Sequence, residues 1–367
     1  MKAPRVLVSG VVLGQPAGGV RRHNAELLPR VARLLAERGG GLAVLEGRER
    51  VAFELPDPIE RIASSVPAGP PIARAAAEGH ALRAAITAAA RAGRPFDLMH
   101  TAHFPVPRGI AIPFTLTIHD LRSLSLRGAP LPRRILAGPV IGGAARRAAR
   151  VFTVSQSTAH DIAARLRVPD ACVIGNGGDH FQPLSRTAPT GAPLVHVGHL
   201  EPRKNVDLLL HALKHDAALP ALELWGLAKA DEAERLAALA RELGVAARVR
   251  IRGPYEEADL PKILASCAAV VLPSRLEGFG IAVLEAQRAL APLAIANAGA
   301  LPEVAGPDAP RFDPDDAIGC AAAIRAALSR STGDLRRDAE RASAFTWDRA
   351  AWSWFEGWLS VVYDAHR

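Results

Sequence analysis

Residues 273–287 read PSRLEGFGIAVLEAQ, and this stretch decides the fold. Ahead of it, Ala269–Leu272 is a short apolar run of the kind that forms a buried strand. Behind it, Gly280–Leu290 has helical period and Pro292–Ala296 reads as the next strand. Strand, turn, helix and strand in that order make the unit of a parallel sheet. Ligands of such sheets sit beyond the carboxyl ends of the strands, where Glu277, Gly278, Phe279, Gly280 and Ile281 fall. Glycines on both sides of Phe279 let the turn bring backbone N–H groups against a ligand at the helix start. Glu277 and Glu285, eight positions apart, add acceptor-only carboxylates suited to the hydroxyls of a sugar or ribose.

Working outward, the alternation persists. Strands are expected at Leu194–Val197, Ala221–Trp225 and Val249–Arg252, and helices at Val206–Lys214, Asp231–Leu243 and Asp259–Ser266. Residues 181–193, FQPLSRTAPTGAP, lose periodicity and concentrate Pro, Ser, Thr and Gly, as a linker does. Before them a second series appears: strands Val6–Ser9, Leu42–Glu46, Leu98–His100, Phe114–Ile118 and Val151–Val154, with helices Val20–Glu37, Ile72–Ala92, Arg133–Ala149 and Thr158–Leu166. The fold class is therefore α/β, two doubly wound domains at 1–180 and 194–345. Residues 346–367 hold four of the five tryptophans and must pack on something, which is expected to bring this helix back across the cleft to the first domain.

Composition narrows the function. A 49% hydrophobic, 22% charged chain of 367 residues is a packed protein rather than a disordered one. Cys172, Cys267 and Cys320 are far apart, with neither zinc spacing nor a disulfide framework. No apolar stretch reaches the length of a membrane span, and MKAPRVLVSG has no signal-peptide core, so a cytoplasmic location is expected. The net charge of +8 is uneven: residues 1–180 hold 24 Lys+Arg against 13 Asp+Glu, and the remainder 21 against 24. A basic first half suits an anionic partner. Nucleic acid is disfavoured because aromatic and basic residues do not interleave there.

Three further strand-end loops carry chemistry. Gly14–Arg22 (GQPAGGVRR) lacks dinucleotide-fingerprint spacing, yet Gly18 and Gly19 permit close approach of a ligand to the following helix start. His100, His103 and His119 stand where apolar strands stop, at the rim of the crevice. In VGHLEPRKNVDLL, Arg203 and Lys204 follow a strand, with Asn205 expected to cap the next helix; two cations there suit a diphosphate. Asp313-Pro314-Asp315 matches a D-x-D string in a Pro-broken loop and is not read as a metal site.

Taken together, these motifs resemble the retaining glycosyltransferases of family four. The frame PS-x-x-EGFG-x-x-x-LEA carries that family's E-x7-E signature, and Ala298–Val304 (AGALPEV) is similar to its GGLPEV. GGVRR, VSQSTAHDI at Val154–Ile162 and LEPRKN match its upstream segments. The resemblance covers essentially the whole chain and implies the GT-B fold, two Rossmann-like domains facing across a cleft. It further implies a nucleotide-diphosphate-sugar donor held by the second domain and a glycan or lipid-linked acceptor held by the first. Mannose or another hexose or deoxyhexose is the implied sugar, and no cofactor or metal is required. Arg203 and Lys204 would bind the diphosphate, Glu285 the ribose, and Glu277 with the Gly278–Gly280 backbone the sugar and its phosphate. His119 would face the reacting sugar, Gly253, Pro254 and Tyr255 the base, and Gly18, Gly19 and Arg22 would close the site. Departures from the pattern are His199 where Arg is common, Gly175–Asp179 (GNGGD) for PNGVD, and Leu290 for a usual glycine. A lipid-linked acceptor would bring the basic helix Arg133–Arg150, with Arg133, Arg134, Arg146, Arg147 and Arg150, to an anionic membrane face. The alternative is a sugar-nucleotide epimerase of the same architecture, which the LEPRKN and EGFG frames fit less well.

Overall fold

A computed structural model describes residues 2–14, 18–125 and 131–364, with the side chains at 125 and 131–136 outside the description. Arg133 and Arg134 of the basic helix therefore lie outside the described side chains, and 15–17 of the first glycine loop outside the described residues. The chain divides into two compact units: Met1–Asn176 with Trp347–Arg367, and Gly177–Thr346.

Unit 1 runs β1 (Arg5–Ser9), α1 (Gly19–Ala36), β2 (Gly41–Glu46), β3 (Ile59–Ala63), α2 (Pro71–Arg91), β4 (Leu98–Thr101), β5 (Phe114–Ile118), α3 (Arg122–Ser125), α4 (Leu131–Arg147), β6 (Arg150–Thr153), α5 (Gln156–Leu166) and β7 (Cys172–Val173). Its strands form one parallel sheet in the order β3-β2-β1-β4-β5-β6-β7, with Val6 opposite both Leu42 and Leu98. The central strands β1, β4, β5 and β6 are almost wholly buried, with buried His100, Thr115 and Thr117 among their apolar residues, because helices cover both faces. Ser155 caps α5, its Oγ accepting from Thr158 N.

Unit 2 continues with β8 (Leu194–Val197), α6 (Asp207–His215), β9 (Leu222–Trp225), α7 (Glu232–Glu242), β10 (Val249–Gly253), α8 (Leu260–Ser266), β11 (Ala269–Leu272), α9 (Ile281–Arg288), β12 (Leu293–Ala296), α10 (Leu301–Ala305), β13 (Arg311–Phe312), α11 (Ala317–Leu328) and α12 (Thr332–Ser343). The parallel order is β10-β9-β8-β11-β12-β13. Helix α12 opens with a capping box between Ser331 and Asp334. The expected linker is tied down here: Arg186 donates to the carbonyls of Leu264 and Cys267, and residues 181–193 lie within unit 2.

The last helix, α13 (Trp347–Asp364), belongs to unit 1. Trp347, Trp354, Phe355 and Trp358 are fully buried, and the Trp358 indole donates to Thr115 Oγ1 on β5 at 3.2 Å. Gly357 lies so close to the Phe152 ring that a Cβ there has no room. At Leu290, where the resembled family usually has glycine, φ is +53°, so a leucine holds a left-handed position that glycine adopts freely.

Candidate active site

Both sheets reverse strand order at one point, and an open parallel sheet leaves its crevice there. In unit 2 the reversal falls between β8 and β11. Beyond β8 the chain turns through Pro202–Lys204 and ends that turn at Asn205 with φ +56°. Asn205 is therefore not the helix cap expected from sequence. Its side-chain amide instead donates to the carbonyls of Pro273 (3.1 Å) and Pro314 (2.8 Å), pinning the turn to its neighbours. Asparagine suits this place because it tolerates the left-handed region while its short amide bonds locally.

So pinned, the turn delivers Arg203 and Lys204 to Glu277, which follows β11. Lys204 Nζ donates to Glu277 Oε1 at 2.5 Å, Ser274 Oγ to the same oxygen at 2.8 Å, and Arg203 Nη1 to Oε2 at 3.3 Å. Burial would raise the Glu277 carboxyl, but the Lys204 and Arg203 charges and the donated hydrogen bonds outweigh it and hold the group at about 2. Glu277 is thus a carboxylate at neutral pH with three acceptor positions taken. Beneath it His196 is buried in β8. Its Nδ1 donates to Val271 O at 3.1 Å, which leaves Nε2 an acceptor without a partner among the described residues. Burial, with Lys204 second, lowers His196 to about 4. His199 is half-buried and also lowered, by burial first and then Lys229.

The AGALPEV segment holds Glu277 from behind. Ala300 N donates to the Glu277 carbonyl at 3.0 Å. Gly299 has φ +55°, and a Cβ there would stand 2.6 Å from that carbonyl oxygen and 2.8 Å from the Glu277 nitrogen. Gly299→Ala is expected to destabilise unit 2 by about 2 kcal/mol through left-handed strain and overpacking. An unchanged denaturant midpoint would mean this loop yields freely.

The other expected donor-site residues are spread around this centre. Gly280 (φ +94°) precedes α9, and Ile281 is its first residue. Phe279 does not turn outward: it is buried, with its ring 6.1 Å from Phe345 in a T-shaped contact, so its side chain packs the core. Glu285 is paired with His180 Nε2 at 3.0 Å. Gly253 ends β10 and accepts from Gly226 N at 2.7 Å; Pro254 and the half-buried Tyr255 follow it. Asp313 Oδ1 accepts from Asp315 N at 2.8 Å, and Asp315 pairs with Arg275.

In unit 1 the reversal falls between β1 and β4, and histidines gather near it. His119 follows β5; burial, with Arg122 second, lowers it to about 4, and its Nε2 has no partner among the described residues. Against it, 4.6 Å between centroids and edge to face, stands His23 of α1. His23 Nδ1 lies 2.7 Å from Asn176 Oδ1, and burial, with His119 second, lowers it to about 3. His100 is not at the rim. It is buried within β4, bonded to Thr115 Oγ1 at 2.9 Å and packed 4.8 Å from the Trp354 ring. His103 is buried and holds Glu78 at 2.9 Å, which also accepts from Ser9 Oγ at 2.7 Å. Arg22 pairs with Glu26 at 3.1 Å. Gly18 has φ +141°, whereas Gly19 has neither a positive φ nor any described atom within 4 Å of a Cβ built on it. The described chain itself gives no reason for glycine at 19.

Sequence reading missed His23, Ser274, His180, His196, Glu201 and Lys229. Only Ser274 and Glu201 lay inside quoted motifs.

Comparison with known proteins agrees over both halves. Residues 17–180 match Glycosyltransferase Family 4, and residues 185–344 match Glycosyl transferases group 1. A D-inositol 3-phosphate glycosyltransferase of Mycobacterium avium is 33% identical over 196 residues, 46% of this chain and 44% of that protein. The chain thus spans less than half the length of that relative. The MMP alpha-(1->4)-mannosyltransferase of Mycolicibacterium hassiacum is 29% identical over 219 residues, 58% of this chain and 51% of that one. Among solved structures, a sucrose-phosphate synthase from Thermosynechococcus elongatus superposes with a TM-score of 0.80 at 20% identity, covering 99% of this chain and 100% of that one. Parallel Rossmann-like sheets in both units and family matches across both halves place the chain among the family-four-like glycosyltransferases of GT-B fold.

Proposed function

We propose that the protein is a retaining, metal-independent glycosyltransferase that moves a hexose or deoxyhexose, mannose foremost, from a nucleotide diphosphate to a glycan or lipid-linked acceptor. The observation that carries this is the convergence of Arg203, Lys204 and Ser274 on the Glu277 carboxylate at the strand-order reversal of unit 2. Two cations at a crevice meet the charge of a diphosphate, and the carboxylate beside them meets sugar hydroxyls. In this reading unit 2 holds the donor and unit 1 the acceptor. Gly19, for which the described chain gives no internal reason, leaves room for a ligand to approach the protein backbone. His119 stays neutral near pH 7 and serves as a hydrogen-bonding group rather than a cation.

Transfer proceeds on one face of the sugar. The bond from the anomeric carbon to the diphosphate oxygen breaks, the acceptor oxygen bonds to the same carbon, and the acceptor proton passes to the departing diphosphate. Arg203 and Lys204 stabilise the charge that grows on the leaving group, which is the electrostatic share of catalysis. Mannose as donor sugar draws support from the mannosyltransferase relative. Among the described residues no helix is long and apolar enough to cross a membrane. A cytoplasmic enzyme whose helix α4, ending at Arg146 and Arg147 with Arg150 in β6 rather than in the expected helix, rests on anionic lipid suits a lipid-linked acceptor. The test is a thermal-shift panel of UDP-, GDP-, ADP- and dTDP-sugars. A true donor at 100 times its dissociation constant should stabilise by about 2.7 kcal/mol, and a panel with no shift would reject the reading.

A further inference from the structure

Beyond Arg203 and Lys204 the array of charges continues. The chains after β8 and β9 stay paired past the ends of their strands: Gly198 N donates to Trp225 O (2.9 Å), Leu200 N to Leu227 O (3.0 Å) and Lys229 N to Leu200 O (2.9 Å). The register that sets Val197 beside Trp225 and Leu200 beside Ala228 therefore also brings Glu201 and Lys229 together. Glu201 Oε2 meets Lys229 Nζ at 2.6 Å, while its Oε1 meets Arg203 Nη2 at 2.7 Å. With Arg203 on Glu277 and Glu277 on Lys204, five charges alternate in sign across the ends of β9, β8 and β11. Three cations face two carboxylates, leaving one positive charge in excess.

An exposed ion pair is usually worth little, and Lys229 alone, 47% exposed, would be one. Glu201 differs, at 12% exposure and between two cations. Arg203 presents a rigid fork whose two ends are held apart, Nη2 by Glu201 and Nη1 by Glu277 and the Leu276 carbonyl. Without Glu201 no described residue holds Nη2, and the fork is free to turn onto Glu277 as a bidentate pair, the geometry guanidinium and carboxylate favour. Both groups would then be spent on each other instead of on a ligand.

Resting on the donor-site reading, we propose that Glu201 is a positioning residue for the donor diphosphate: it holds the Arg203 fork open and recruits Lys229 as the third cation of the site. The fork so held offers its charge to the phosphates while Glu277 keeps an acceptor position for the sugar.

Binding of whichever of ADP, GDP, UDP and dTDP most stabilises the unaltered full chain is the probe, followed by titration calorimetry at several salt concentrations. Glu201→Ala should weaken binding about tenfold or more, the scale of a lost charge-assisted contact. Glu201→Gln, which keeps an acceptor for Arg203, should fall between the two and serves as the readout if the alanine variant does not fold. Lys229→Ala should weaken binding a few-fold and flatten its salt dependence. The deciding measurement is a double-mutant cycle: in an Arg203→Ala, Lys229→Ala background, Glu201→Ala should change affinity less than twofold. Independent, multiplying effects of Glu201→Ala and that background, or full affinity in Glu201→Ala while Arg203→Ala weakens binding, would overturn the proposal alone. If Arg203→Ala and Lys204→Ala both bind as the unaltered chain does, the donor-site reading itself falls and takes this proposal with it.

Discussion

Lys204→Ala should lower donor-dependent transfer by at least about 100-fold, the usual toll of removing a preorganised group aimed at developing charge. The ammonium lies 2.5 Å from Glu277 with only 14% of the side chain exposed, and its neighbour Arg203 is already engaged by Glu201 and Glu277. Glu277→Gln should separate two roles. Arg203 and Lys204 lose a competing carboxylate, so a nucleoside diphosphate binds at least as tightly as before, while kcat falls by a comparable factor because the sugar loses an ionised acceptor. Neither change removes core packing, but each breaks the pairing that holds the Glu277 carboxyl at about 2, so a stability loss of about 1–3 kcal/mol is expected and turnover is compared at a temperature where both variants are folded. Turnover within threefold of the unaltered protein in both variants would defeat the proposed chemistry.

The second large effect is acid lability. His23 is held at about 3, and His119 and His196 at about 4, burial being the first cause in each, and His100 lies well below its ordinary value for the same reason. An unfolded histidine titrates near 6.5, so between that value and the folded ones the unfolded chain binds more protons. Stability from these groups is therefore complete above about pH 6.5 and is lost as pH falls toward 4. A group displaced to about 4 contributes about 3 kcal/mol at neutral pH. His23, His100 and His119 share unit 1, so the loss falls most heavily there. Unfolding should set in between about pH 5.5 and 4, before Glu277 protonates. Near-ultraviolet circular dichroism of the tryptophans should report it, because Trp354 packs on both His100 and His23. Native spectra retained at pH 3.5 would refute this.

Sequence pattern exposed the fold where burial is complete on both faces. Ala269–Leu272 and Leu194–Val197 coincide with β11 and β8 because each is a short buried run, wholly aliphatic in β11 and interrupted only by His196 in β8. It was silent at β3, where IERIA buries only Ile59, and at β7 and β13, two residues each. In the site, the EGFG and LEPRKN frames marked Glu277, Arg203 and Lys204 because turn chemistry and charge are local. Asn205 misled because asparagine serves both as a helix cap and in left-handed turns. His100 misled because a strand's last residues alternate between rim and core. His23, and the meeting of Glu201 with Lys229, needed pairing across distant elements that no local pattern encodes.

Helix α13 has a consequence for synthesis. Unit 1 is begun first, yet the tryptophans that fill its core are made after all of unit 2. On the ribosome, the 170 residues Gly177–Thr346 can close as an uninterrupted segment while the earlier sheet waits, its β5 and β6 faces still uncovered where Trp358 and Gly357 will pack. The domain translated second is thus the first that can finish, and the interval between them is when the nascent chain most needs a chaperone.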